Sequence, residues 1–449
     1  MPIQNMPAAL QAAIQQGFLE TEFQQGLTSA IGYRAIADRE NFAINVGETV
    51  TKTRAGLKAP VTTPLAPNTN TGLDNGLTAS AFTVEQYTLG IDMYGDTIDL
   101  NIVTSQVGIA NQFLQNARTN GVQARQSLDR LARNALFNAY QGGHTRVRTT
   151  LGAAAATISV DDVRGFEQAL SNGRMQAVSP SNTATVLVGG NTYTLIGTSR
   201  DGANVSTTFG GVSGTLTFSS NVTVGDGTAG NRVVHANAPV IVRPNGKWAD
   251  GSAYGSATST NSLVAADMLT LGVIEDAVAA LRNNTGIIDQ MFNLYLDNVS
   301  MRQLFADQDF KLMYQGQYGA EEVRTLRPFQ LIGVNFIPTT EAPVQNHATN
   351  AALRVRRPIL VAPGALVEGD YAGMSQKAAE FGGVNSEIQM IDGIAQVTRA
   401  PLDRLAQIVA QSWYWIGGFV APTDVTANQQ IIPTAGNQYL KRAVVIEHV

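Results

Sequence analysis

From Ser105 to Tyr140, small or apolar residues recur three and four apart, at Val107, Ala110, Leu114, Ala117, Gly121, Ala124, Leu128, Leu131 and Ala135. That spacing places them on one stripe of an α-helix. The stretch holds no proline, and Gly108 and Gly121 are its glycines. It predicts a rod of roughly 54 Å, where an ordinary globular helix has about 11–12 residues. A repeat of this kind also fits a coiled coil. Much of the stripe is Ala or Gly, however, and few charge pairs flank it, so packing on a sheet or loop of the same chain is the better expectation.

The flanks have other patterns. Before the rod, Leu10, Ile14, Phe18, Leu19, Phe23, Leu27 and Ile31 lie at helical spacing on a narrow face, which predicts an N-terminal arm over 1–36 that docks on another surface. Val46–Lys58 and Phe82–Val103 are rich in Thr and Val or alternate in polarity, and predict strands. Between them, Ala59–Ser80 carries Pro60, Pro64, Pro67, Gly72 and Gly76. We read 37–103 as a two-stranded arm with an irregular tip. A lone hairpin is marginal in water, so such an arm must lie on a neighbouring surface. After the rod (104–145), residues 146–262 are dominated by Thr, Ser, Gly, Val and Asn. Short β-prone runs occur at Thr157–Val160, Thr185–Val188, Thr192–Ile196, Gly214–Phe218, Asn221–Val224 and Pro239–Val242. Turn signals separate them, and Asp161–Ser171 reads as a short helix. This is the pattern of an inserted β-barrel or sandwich.

Helical patterning resumes at Ala265–Arg282. A strand at Phe292–Leu296 and a helix opened by Asp297-Asn298 over Val299–Phe305 complete 263–328. Within 329–425 we expect strands at Leu331–Ile337, Ile359–Ala362, Glu387–Ile391 and Ile394–Val397, the last two joined at Asp392-Gly393. Ala372–Phe381 reads as partly helical, and Leu402–Val420 fits either a helix or a long buried strand. A final strand at Arg442–Ile446 lies in the tail, 426–449. The fold class is α+β with an antiparallel or mixed sheet.

Only 14% of residues are charged, against a norm of about 25%. Such a surface repels its own copies weakly. The net charge of −5 argues against a protein that coats nucleic acid. Without cysteine there is no disulfide, thiolate metal site or cysteine nucleophile. No apolar run reaches the length of a membrane span, and no secretion signal is visible. The four histidines, His144, His235, His347 and His448, read as loop or terminal residues without a second ligand nearby. No phosphate-binding loop or nucleophile elbow occurs. Asp92, Asp96 and Asp99 read as solvated, and Gly225-Asp226-Gly227-Thr228 as a hairpin turn. We expect no catalytic, cofactor or metal site.

Charge patterning instead marks candidate contacts between subunits. Lys52, Arg54 and Lys58 lie on the arm, and Glu321 and Glu322 form an acidic pair near the end of 263–328. Arg118, Arg125 and Arg133 share one side of the rod with Asp129. They read as a solvated face, as partners for acids of the arm or of another copy, or as contacts to nucleic acid.

This order of elements resembles the major capsid protein of tailed bacteriophages. The resemblance is one of organisation over about three quarters of the chain. On it, Phe42–Val103 is the extended loop, Ser105–Tyr140 the spine, and Ala265–Phe305 the rest of the peripheral domain. Phe329–Val420 supplies the axial domain, entered through Gly333-Val334-Asn335-Phe336-Ile337-Pro338. The resemblance implies a structural, non-enzymatic protein that forms pentamers and hexamers and then an icosahedral head around packaged DNA, without sequence-specific binding. It implies assembly in a bacterial cytoplasm and residence in the virion. The short arm before the loop favours a separate scaffolding protein, and a portal is implied. The inserted β-rich segment departs from the core pattern and suits contact with neighbours or a decoration protein. Two other classes remain open from the residues alone: a secreted β-rich adhesin or surface-layer protein, and a carbohydrate-active enzyme.

Overall fold

The computed structural model describes residues 23–24, 32–42, 48–55, 58–62, 64, 84–101, 112–171, 174–203, 205–206, 210–247, 259–285, 291–315, 329–348, 350, 352–371, 386–399, 404–405, 407–424 and 439–449. The chain forms two compact units. One comprises residues 1–50, 88–135 and 366–420; the other comprises 51–87, 136–365 and 421–449.

The first unit is built on a six-stranded sheet. Its path runs Asp38–Phe42, Val367–Tyr371, Ile408–Val420, Ile394–Arg399 and Ser386–Ile391, and Asp92–Asn101 also pairs with Ile408–Val420. Asp38–Phe42 runs parallel to its neighbour; the other pairings are antiparallel. Ile408–Val420 settles the ambiguity of 402–420. Gln411, Trp413, Trp415 and Gly417 are buried, and the residues between them are half-buried, the period of a pleated strand. At the predicted turn, Asp392 and Gly393 both have positive φ, 49° and 77°, as a two-residue type I′ hairpin requires.

The rod is a helix from Gln112 to Tyr140, 29 residues or about 43 Å; the expected start at 105–111 lies outside the described residues. Ala117, Gly121, Ala124 and Leu128 are buried as the stripe predicts. Beyond them burial passes to Ala132, Leu136 and Tyr140, while Leu131 and Ala135 are only half-buried. A straight α-helix drifts against a seven-residue repeat, so the buried face follows packing within the chain rather than a supercoil. Ala124 and Leu128 share a core with Phe23, Ile391, Ile394, Trp413 and Trp415.

In the second unit, one six-stranded sheet runs Ile241–Val242, Ala443–Ile446, Ile359–Val361, Phe292–Leu296, Val334–Pro338 and Phe329–Leu331. The expected boundary at residue 329 therefore falls within one sheet, and Ile241–Val242 belongs here rather than with the inserted strands. The helix Leu271–Thr285 contributes Ile274, Ala277, Val278 and Leu281 to the core on this sheet. It begins six residues later than expected because Asp307 accepts a hydrogen bond from the Leu271 N–H (2.8 Å), capping the helix there. As expected, Asp297 caps the helix Asn298–Ala306, accepting from the N–H groups of Val299 and Ser300.

The β-rich segment is a closed barrel. Its strands run His144–Arg146, Arg232–His235, Ala184–Val188, Asn191–Arg200, Gly214–Val222 and Ala155–Val160, and a bridge from Val147 to Val160 joins the two ends. Closure removes exposed edges. Ile158, Val186, Val188, Leu195, Leu216, Phe218 and Val233 fill the interior. The helix expected over Asp161–Ser171 does not form. Asp162 instead accepts from the N–H groups of Arg164 (3.0 Å) and Val212 (3.2 Å), side-chain bonds that compete with a helical turn. Gln168–Ser171 is a strand.

A four-stranded sheet runs Thr49–Ala55, Val84–Gly90, Arg174–Ala177 and Gln168–Ser171. The second strand of the expected arm is thus divided. Its first part pairs here, and Asp92–Asn101 joins the sheet of the first unit. Most of the expected tip, 59–80, lies outside the described residues.

Candidate assembly site

In the first unit an N-terminal segment is locked onto the spine by shape and charge. Tyr33–Ile36 forms a 3-10 turn. At its start a Cβ on Gly32 would stand 2.0 Å from Asp129 Oδ1, so the backbone reaches the carboxylate only because residue 32 is glycine. The Arg34 N–H donates to Asp129 Oδ1 at 3.1 Å. The Arg34 side chain grips Glu368 through Nε (3.1 Å to each oxygen) and Nη2 (2.6 Å), a fork-on-carboxylate pair. Glu368 is fully buried, and Arg39 approaches it at 3.9 Å while pairing with Asp392 at 3.2 Å. Arg34 also lies over the Trp415 ring, 5.9 Å from its centroid. Burial, then the neighbouring Glu368 charge, push the Asp370 carboxyl above its ordinary value.

The predicted contact residues are dispersed. On the spine Arg118 is exposed, whereas Arg125 and Arg133 are half-buried. Arg133 donates to Asn134 Oδ1 at 3.2 and 2.9 Å. Asp129, expected on the same side, is buried beneath Gly32. That face is therefore partly taken up by the chain's own N-terminal segment. On Thr49–Ala55, Lys52 and Arg54 are half-buried, and Lys58 is exposed beyond the strand. Burial pushes the Tyr140 phenol up, and the Arg54 charge pulls it the other way. The arm strand and the last turn of the spine thus lie within electrostatic reach in the second unit. Glu321 and Glu322 lie outside the described residues.

Two features escape a sequence reading. The Arg34–Glu368–Arg39–Asp392 cluster joins positions more than 300 apart in the chain. A buried ionic network in the second unit joins Arg146 to Asp161 (2.5 Å), Arg164 to Asp162 (2.7 Å), and both Arg243 (2.7 Å) and Arg357 (2.9 Å) to Glu447. Its one sequence signal is arginine placed beside β-prone runs, as at Arg146 and Arg356-Arg357. The histidines also differ from expectation. His144 and His235 lie in barrel strands, and all four are buried. Burial lowers His235 and His448 to about 4. Asp226 is no simple hairpin residue: its carboxylate accepts from Gly190 N, Asn191 Nδ2, Tyr193 OH and Thr223 Oγ1 at 2.7–3.0 Å.

Among the described residues no group of three or more His, Cys, Asp or Glu is arranged to hold a metal, and no helix is long and apolar enough to cross a membrane. Asp92, Asp96 and Asp99 are exposed along one strand.

No family model matches the chain, and no curated protein matches it. Solved structures similar to it include the capsid of cyanophage P-SCSP1u, at 10% identity and TM-score 0.46, covering 94% of this chain and 88% of that one. The capsid of Ralstonia phage GP4 is similar at 11% identity and TM-score 0.45, covering 92% and 87%. The capsid of cyanophage Pam1 is similar at 9% identity and TM-score 0.46, covering 91% and 88%.

Proposed function

We propose that this chain is a major capsid protein of the tailed-phage type, which assembles into pentamers and hexamers and then into an icosahedral head enclosing DNA. The supporting observation is its order of elements. A docked N-terminal segment precedes a β-stranded stretch and a 29-residue helix. That helix packs on a sheet completed by residues 367–420, and a separate α+β layer follows in sequence. The charge-poor composition fits a surface that meets copies of itself.

In this reading symmetry closes the shell, and each contact is repeated many times. Lys52, Arg54 and Lys58 meet acids such as Glu321 and Glu322 of a neighbouring copy, and the spine arginines Arg118, Arg125 and Arg133 brace the arm. One exposed ion pair contributes about 0–1 kcal/mol, so repetition supplies the force. A separate scaffolding protein and a portal set size and closure. The barrel offers a site for neighbours or a decoration protein. DNA lies on the inner surface without sequence readout. Assembly takes place in the bacterial cytoplasm, and the product is the virion.

Negative-stain microscopy of the expressed chain, alone and with candidate scaffolding protein, tests this. Shells or rings of capsomer size are the expected result. A monomer under all conditions that binds glycans would overturn it in favour of an adhesin or a carbohydrate-active enzyme. The arm contact has its own test: Lys52→Glu with Arg54→Glu should abolish or slow assembly, and unchanged assembly refutes that contact.

A further inference from the structure

Two strands of opposite charge lie at sheet edges. Asp92–Asn101, ten residues long, pairs along one edge with Ile408–Val420, from Asp92 opposite Gly417 to Asn101 opposite Ile408. Among the described residues no strand pairs with its other edge. It carries Asp92, Asp96 and Asp99, all exposed, and no cation. The bonds of Asp96 and Asp92 go to neutral groups. Asp96 accepts from Gln123 Nε2 and the Thr97 N–H, and Asp92 accepts from the Tyr94 hydroxyl. Thr49–Ala55, seven residues long, is the end strand of the four-stranded sheet, where its described neighbour is Val84–Gly90. It carries Lys52 and Arg54 and no acid, with exposed Lys58 beyond it.

A strand edge presents a row of N–H and C=O groups that can template a further strand. Charge then decides which strand is accepted. Two acidic edges, or two basic ones, repel, because like charges directly opposite destabilise a strand pair. The acidic edge of one copy and the basic edge of the next attract. Either strand is thus kept from pairing with its own counterpart across a two-fold axis, and a head-to-tail contact is favoured. Head-to-tail contacts between identical chains close into rings when the rotation allows. Lengths also match: ten residues span about 34 Å and seven about 24 Å, so the basic strand fits whole along the acidic one.

We propose that the outer edge of Asp92–Asn101 is the docking site for the Thr49–Ala55 strand of a second copy. The incoming strand extends the sheet and sets its Arg54, with Lys58 beyond it, against Asp92, Asp96 and Asp99. This rests on the self-assembly reading above and names, within it, acids that receive the arm.

Sedimentation velocity over a concentration series reads association of the full chain. Arg54→Glu with Lys58→Glu should raise the concentration needed by about tenfold or more, and so should Asp92→Lys with Asp99→Lys. All four changes in one chain restore opposite charges between copies and should bring association back towards wild type. Arg54→Glu and Lys58→Glu combined with Glu275→Lys and Asp309→Lys, at exposed acids elsewhere, have the same net charge and should not. Circular dichroism checks that each variant is folded. Hydrogen exchange gives a second readout, which decides if a variant does not fold. The alternate amides of Asp92–Asn101 that do not bond Ile408–Val420 should gain protection in the associated wild-type protein. No gain there overturns the proposal and leaves self-assembly standing. So does equal rescue by the two combined variants, or rescue by neither. A wild-type chain that does not associate, with or without scaffolding protein, overturns the assembly reading and this contact with it.

Discussion

Gly121→Ala tests how the spine receives the N-terminal segment. Gly121 is buried in the middle of the helix, and a Cβ there would lie 2.4 Å from the Phe23 carbonyl oxygen, with Phe23 C and Cα at 3.2 and 3.3 Å. In isolation the change should help, because alanine is better than glycine inside a helix by about 0.8–1.0 kcal/mol. Against that stands a clash with backbone, which cannot rotate away as a side chain can. Overpacking of this kind costs about 1–3 kcal/mol. If the segment lifts instead, fully buried Phe23 is exposed at about 1.5–3 kcal/mol. The clash wins on either route, for a net loss of up to about 2 kcal/mol. The two routes separate in the assay. Either route lowers the thermal midpoint, but only undocking also speeds limited proteolysis on the N-terminal side of Gly32. Gly272→Ala is the control, since a Cβ there meets nothing within 4 Å; it should be neutral or mildly stabilising. If Gly121→Ala melts no lower than Gly272→Ala and is cleaved no faster than wild type, the close approach of Phe23 to the spine is wrong.

Glu368→Gln leaves Arg34 and Arg39 facing a neutral amide at a fully buried site, and should cost about 3 kcal/mol, read as a shift in the denaturant midpoint. Asp226→Asn cannot accept all the bonds the carboxylate takes, and should cost about 1–3 kcal/mol. For Asp226, burial raises the pKa but hydrogen bonds from Asn191, Tyr193, Gly190 and Thr223 outweigh it, to about 2. Its contribution is therefore complete above the ordinary value near 3.8 and is lost as pH falls from there through 2; the mutant should lack that part of the acid transition. His235 and His448 are held neutral by burial at about 4. Depressed folded values mean stability that is whole above about 6.5 and declines as pH falls toward 4. Equilibrium unfolding between pH 7 and 4.5 should show this loss, and His235→Gln should flatten it.

Local pattern was most legible where one physical rule decided the outcome. Glycine with positive φ specified the 392–393 turn, Asp297 specified a helix start, and β-branched runs specified barrel strands. It failed where a distant residue supplied the deciding bond. Asp307 delays the helix at Leu271 from 36 positions away, and Val212 helps hold Asp162 out of a helix. The contact residues followed the same division. Exposed cations such as Lys58 and Arg118 could be picked out from charge. Arg34 and Glu368 could not, because each looks like an ordinary surface residue until the fold buries them together.

The sequence by itself determined that this chain contains a long helix, a β-rich middle and an α+β remainder, and that it is poor in charge. Those properties depend on periodicity and composition, which neighbours along the chain already contain. Tertiary structure alone decided that the β-rich segment closes into a barrel, that the arm's second strand divides between two sheets, and which part of the spine's stripe is buried. It also joined Arg146, Arg164, Arg243 and Arg357 to Asp161, Asp162 and Glu447. Each of these depends on which remote segment comes to lie alongside, and long-range pairing leaves no period in the sequence to read.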